Sequence, residues 1–152
     1  PNLPNMHAIY LYPSMCYCDA TPVSLGRGTT TPFQIYAHPN MKGYSFSFTP
    51  RSISGAKNPP QLNKLCYGVD LSGLSDEDVI AKGINLEYLI DAYRNLNLDD
   101  HFFRPFFELL IGRGDIRKMI KEGKCAEEFK ATWQSDVEKF KAQRSPYLLY
   151  AE

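Results

Sequence analysis

The sequence has no surplus of either charge: 17 lysines and arginines balance 17 aspartates and glutamates over 152 residues. Nucleic acid as the main partner needs a basic excess on some face, and this balance argues against it. No apolar run approaches the roughly 18 residues of a membrane span, so no membrane-spanning segment is expected. Histidine is scarce, with His7, His38 and His101 far apart, and no metal-ligand spacing emerges around them. No Gly-Lys-Ser/Thr phosphate loop is present. No cofactor is expected. No Ser/His/Asp or Cys/His set is visible, and a carboxylate pair suited to glycoside chemistry cannot be picked out within the chain. There is no internal repeat and no low-complexity tract.

Four cysteines occur, Cys16, Cys18, Cys66 and Cys125. Cys16 and Cys18 lie two apart in a segment that reads as a strand. They would then share a face and not bond each other. The spacing reads as small buried hydrophobes, and leaves open a disulfide from Cys16 or Cys18 to Cys66 or Cys125.

What is present divides into two styles. The first half is rich in aromatic and β-branched residues. It offers five strand candidates: His7–Tyr12, Met15–Ala20, Pro32–His38, Tyr44–Pro50 and Lys64–Leu71. The second half has helical periodicity. Ser75 and Asp78 resemble a capping box for a short helix that Gly83 closes. Asn85 caps a helix with an apolar stripe at Leu86, Leu89, Ile90, Tyr93 and Leu96. Another helix starts at Asp115 and ends at Gly123. A last one runs from about Ala126 to Ala142, with Phe129, Trp133, Val137 and Phe140 as a core-facing stripe. Tyr147 to Tyr150 could add an edge strand after Pro146. The expected class is α+β. Strands of the N-terminal half form a mixed or antiparallel sheet, and helices of the C-terminal half pack on it. Residues 1–5 read as an extended linker from a missing N-terminal domain, and residues 6–152 as a single domain.

One stretch stands apart: "CDATPVSLGRGTTTPF", residues 18–33. It carries one carboxylate (Asp19), one guanidinium (Arg27) between two glycines (Gly26, Gly28), and hydroxyls at Thr21, Ser24, Thr29, Thr30 and Thr31. A guanidinium is a planar fork of five donors matched to carboxylate or phosphate. Hydroxyls both donate and accept, as sugar hydroxyls require. The competing view is a solvated loop in which Arg27 pairs with Asp19 and holds the turn. Elsewhere, Glu87 and Asp91 share a helix face that could seat a sugar or metal, though such a face is commonly just solvated. Trp133 could stack on a sugar, but its apolar neighbours point to the core. The run "FFRPFFELL" (Phe102–Leu110) reads as a core plug or as an interface with a partner domain.

"YPSMCYCDATPVSLGRGTTTPFQIYAHP" resembles the signature Tyr-Pro…Glu-Gly-Thr…Ser…Gly-Arg-Gly-Thr…Pro-Phe…Pro of the NamZ-type exo-β-N-acetylmuramidases, long known only as a domain of unknown function. The resemblance continues through "CYGVDL", "INLEYLIDAY", "ATWQSDVEKF" and "RSPYLLY", and so covers essentially the whole chain. Asp19-Ala20-Thr21 stand where the family has Glu-Gly-Thr.

The resemblance implies a C-terminal domain preceded by a larger Rossmann-like domain, with substrate in the cleft between the two. It implies release of N-acetylmuramic acid from the non-reducing end of peptidoglycan fragments, in the cell envelope, with the principal catalytic acid in the N-terminal domain. Asp19, Thr21, Ser24, Gly26, Arg27, Gly28 and Thr29 would then form a substrate-binding wall, and a muropeptide or amino sugar would be the ligand. Arg27 suits the lactyl carboxylate that distinguishes N-acetylmuramic acid from N-acetylglucosamine. The alternatives are a non-catalytic carbohydrate-binding or interaction domain, or a structural domain that braces an upstream enzyme.

Overall fold

The computed structural model describes residues 3–150. It combines helices with a small antiparallel sheet of three strands, in keeping with an α+β class. The strands are β1 (Ile35–His38), β2 (Phe46–Phe48) and β3 (Cys66–Asp70). Their order is β1-β3-β2, with Ile35 opposite Asp70 and Phe46 opposite Gly68. Every residue of β1 is buried. The helices are α1 (Met6–Met15), α2 (Asp76–Lys82), α3 (Glu87–Leu96), α4 (Phe107–Ile111), α5 (Ile116–Lys121) and α6 (Ala126–Arg144).

The strand-first expectation fails at its start. His7–Tyr12 belongs to α1. Met15–Ala20 is the end of α1 followed by a 3-10 turn, Cys16–Ala20. The reason is local. The Asn5 side chain accepts the Ala8 N–H at 2.9 Å, a helix N-cap. Ala8, Leu11 and Met15 then bury themselves at helical spacing, while Met6, Ile9 and Tyr12 stay on the outer face. Aromatic richness imitated a strand. Pro13 lies inside α1 near its end, where it removes one donor and the helix soon tightens into the 3-10 turn. Cys16 and Cys18 therefore do not share a strand face, and all four cysteines are free thiols. Pro1 and Asn2 of the expected linker lie outside the described residues, as do Ala151 and Glu152.

The helical half follows the capping signals closely. Ser75 caps α2 by accepting the Asp78 N–H at 3.1 Å, and Gly83 ends it with φ +60°. The helix begins one residue later than Asn85 as its cap would imply: Leu86 holds the N-cap position, and the Asn85 side chain just before it accepts the Glu87 N–H at 3.0 Å. The stripe of α3 meets the core at Leu86, Leu89, Ile90 and Leu96. Phe102, Phe103 and Phe107 form an aromatic plug with Tyr93, so the core reading of that run holds for three of its four phenylalanines; Phe106 is exposed.

The last helix departs from expectation. Of its stripe only Phe129 is buried; Trp133 is partly covered, and Val137 and Phe140 are exposed. Tyr147 to Tyr150 form no strand: a 3-10 turn, Ser145–Tyr147, is followed by exposed Leu148, Leu149 and Tyr150. No helix among the described residues is long and apolar enough to cross a membrane.

A candidate anion-reading site on the Asp19–Phe33 loop

The loop gains its shape by borrowing from the sheet. Ser24 bridges Ala37 on the outer edge of β1 through two backbone hydrogen bonds, at 2.8 and 2.9 Å. One step on, the Phe33 N–H donates to the Leu25 carbonyl at 2.8 Å and closes the loop upon itself. Residues 26–32 are thus presented from the edge of a fully buried strand. Thr21 fastens the entry: its hydroxyl donates to the Cys18 carbonyl at 2.7 Å and accepts the Val23 N–H at 3.2 Å. The Thr29 hydroxyl donates to the Gly26 carbonyl at 2.6 Å and accepts the Thr31 N–H at 3.1 Å.

The glycines are explained from inside the protein. Gly26 has φ +74° and Gly28 φ +82°, a region that side chains disfavour. A Cβ on Gly26 would lie 2.5 Å from Ile35 Cγ1, and one on Gly28 would lie 2.4 Å from the Arg51 carbonyl oxygen. The chain itself, not an open ligand space, fills the room that these glycines leave.

Arg27 stands between them. One terminal nitrogen donates to Asp19 Oδ2 at 3.1 Å, and the guanidinium carbon lies 4.7 Å from the centroid of the Phe33 ring. Phe33 is buried, holds φ +62°, and meets the Tyr12 ring edge-on at 5.0 Å. The side chains of Arg27 and Asp19 stay 26% and 30% exposed. Such a pair contributes only about 0.2–1 kcal/mol, because water screens it. Its consequence is geometric: carboxylate and ring hold the guanidinium in place. Its remaining N–H groups have no protein partner among the described residues.

The loop therefore brings together Asp19, Arg27 and Thr29 at or near the surface. Thr21 and Ser24 are 1% and 0% exposed; the Thr21 hydroxyl is bonded within the loop, and the Ser24 hydroxyl is buried without a hydrogen-bond partner among the described residues. Phe33 was not singled out from the sequence. The available signal was a bulky aromatic directly after a Gly-Arg-Gly-Thr-Thr-Thr-Pro run. Arg27 does not line the best-formed clefts, which measure about 250 to 600 Å³.

The other candidates resolve into structure. Asp91 accepts the hydroxyls of Tyr36 and Tyr44, each at 2.7 Å. Burial first, then the Asp91 carboxylate, push both phenols well above their usual range. Glu87 Oε1 accepts the Ala126 N–H at 2.8 Å and so caps the start of α6. Among the described residues no group of three or more His, Cys, Asp or Glu is placed to hold a metal ion.

Residues 10–150 match the family model of the C-terminal region of the exo-β-N-acetylmuramidase NamZ. The chain belongs to this NamZ C-terminal family. Its sequence is 28% identical, over 99% of its length, to the peptidoglycan β-N-acetylmuramidase NamZ of Bacillus subtilis, of which it covers 39%. Its fold is that of part of a DUF1343 family protein of Bacteroides fragilis known from a crystal structure. The TM-score is 0.98 and the identity 71%, with all of this chain and 43% of that one covered. The chain thus spans about two fifths of the length of these two NamZ-family relatives.

Proposed function

We propose that this chain is the C-terminal domain of a peptidoglycan-acting exo-glycosidase that releases N-acetylmuramic acid from non-reducing ends. In this reading the Asp19–Phe33 loop forms one wall of a substrate cleft, and an N-terminal Rossmann-like domain forms the other and carries the principal acid. The observation that carries the proposal is Arg27. Its guanidinium lies against the Phe33 ring and is bonded to Asp19, and its remaining donors have no partner among the described residues. N-acetylmuramic acid carries a lactyl carboxylate that N-acetylglucosamine lacks, and a charge-assisted fork distinguishes the two. The workplace is the cell envelope, and the role is in cell-wall turnover.

The test compares kcat/KM for a muramic acid glycoside and its glucosamine analogue in the longer polypeptide. Arg27→Ala should lower use of the muramic substrate by about 2 kcal/mol and leave the analogue nearly unchanged. Arg27→Lys should recover only part, because the fork is lost. Equal losses on both substrates, or no loss with the fold intact, would overturn the reading. The 152-residue chain alone should leave a chromogenic muramic acid glycoside intact, and turnover comparable to the longer protein would contradict the division of roles.

A further inference from the structure

A second surface, at the C-terminal end of α3, is not used by the reading above. Beyond β1 the chain turns back along the C-terminal end of α3. The Asn95 side chain holds this turn as a strand partner would: its Oδ1 accepts the Lys42 N–H and its Nδ2 donates to the Lys42 carbonyl, both at 2.9 Å. The Met41 and Leu96 side chains beneath are buried. Asn97 ends α3 in the left-handed region at φ +46°. Between the turn, the helix end and β3 lies an open cleft of about 600 Å³, within the size range of small-molecule sites.

Its chemistry is one-sided. Asn40, Lys42, Tyr67 and Asn97 line it, and none of their side chains has a polar partner among the described residues. No carboxylate lines it, and Lys42 is its one charge. The Tyr67 ring, on β3, is 38% exposed. Two free amides offer donors and acceptors to hydroxyl and acetamido groups. A half-exposed aromatic ring offers an apolar face to the C–H side of a pyranose, and a single ammonium favours a single carboxylate over a polyphosphate. We propose that this cleft is a second saccharide-binding site, for an acylated amino sugar that carries a carboxylate. The floor and the Asn95 clamp keep the turn in shape before the ligand arrives, which lowers the ordering cost of binding. The proposal rests on the functional reading above only for the choice of probe.

The test is a ¹H–¹⁵N titration of the 152-residue chain with two disaccharides, one of N-acetylglucosamine alone and one of N-acetylmuramic acid with N-acetylglucosamine. Saturable shifts are expected at the amides of Asn40, Lys42, Tyr67 and Asn97. Lys42→Gln should weaken the acidic disaccharide about tenfold and the neutral one by less than about twofold, the size of one charge-assisted hydrogen bond. Tyr67→Ala should abolish the shifts, with Tyr67→Phe retaining them as a control that the sheet is intact. Arg27→Ala should leave them unchanged, so that failure of the Arg27 site and failure of this one are separable. Absence of shifts at the cleft would overturn the proposal. So would equal weakening of both sugars by Lys42→Gln, or loss of the shifts in Arg27→Ala.

Discussion

The guanidinium carbon of Arg27 lies 4.7 Å from the ring centroid of Phe33, a residue buried with positive φ. A cation over an aromatic face adds about 0.5–1 kcal/mol at a partly exposed site, and here it also sets where the fork points. Phe33→Leu keeps much of the buried volume but removes the ring face, and with it the edge contact to Tyr12. It should cost about 1–2 kcal/mol in chemical denaturation. In the longer polypeptide it should reproduce much of the Arg27→Ala loss on the muramic substrate. A variant of wild-type selectivity would show that the ring does not orient Arg27.

Gly28 and Gly43 have nearly the same backbone, φ +82° and +85°. Only Gly28 is crowded, with the Arg51 carbonyl 2.4 Å from an added Cβ; Gly43 has nothing within 4 Å. Gly43→Ala should therefore cost about 1 kcal/mol, the left-handed term alone. Gly28→Ala should cost clearly more, above about 2 kcal/mol, because backbone must shift as well. Urea midpoints for the two variants give the comparison. Equal losses would mean that the loop yields easily around Gly28.

His7 joins α1 to the start of α2. Its Nδ1 lies 2.6 Å from Asp76 Oδ1 and its Nε2 lies 3.0 Å from the Leu71 carbonyl. Both partners are acceptors at neutral pH, so the doubly protonated ring satisfies both. Burial alone would lower its pKa, but the hydrogen bonds to Asp76 and Leu71 and the Asp76 charge outweigh it, and the value is raised above 6.5. A raised base contributes stability that is fully present below its unfolded pKa and lost as pH rises through its folded pKa. His38 shifts the other way, lowered by burial and then by Lys64. A variant is therefore needed to isolate His7. The stability gap between wild type and His7→Gln should be larger near pH 5.5 than near pH 8.5, by about 1 kcal/mol or less. A gap that does not change with pH would mean that folding leaves the His7 pKa unshifted.

The four free thiols should divide into two classes. Cys18 and Cys66 are buried, while Cys16 and Cys125 are partly exposed. Burial pushes the Cys66 thiol up to about 11 and the Cys18 thiol further still. Only a thiolate reacts. An aromatic disulfide reagent should label two thiols quickly on the native chain and all four after unfolding. Rapid labelling of Cys18 or Cys66, identified by peptide mapping, would show that the core opens there.

The α+β class and several helix ends were legible residue by residue. Ser75, Gly83, Asn85 and the stripe of α3 are local signals, decided within one or two turns of chain, and they landed within a residue. The alternation of Tyr44, Phe46 and Phe48 likewise marked β2. α1 was misread because Ile9, Tyr10 and Tyr12 supply the composition of a strand. Only the burial of Ala8, Leu11 and Met15 against the rest of the chain selects the helical period. The stripe of α6 departs in the opposite direction: its helical periodicity holds, but Val137 and Phe140 in its outer half stay exposed.

The sequence by itself determined α2, α3, α5 and α6 as helices, the caps at Ser75 and Gly83, and the family, through the Gly-Arg-Gly-Thr block and its aromatic surroundings. Those are short-range matters of backbone propensity and side-chain spacing. Tertiary structure alone decided what the block does within the chain. It turned Thr21 and Ser24 inward and filled the space beside Gly26 and Gly28 with Ile35 and Arg51. Each of these depends on a strand edge or loop brought back against the block by packing of the core, and spacing along one chain carries no record of which distant residue arrives there.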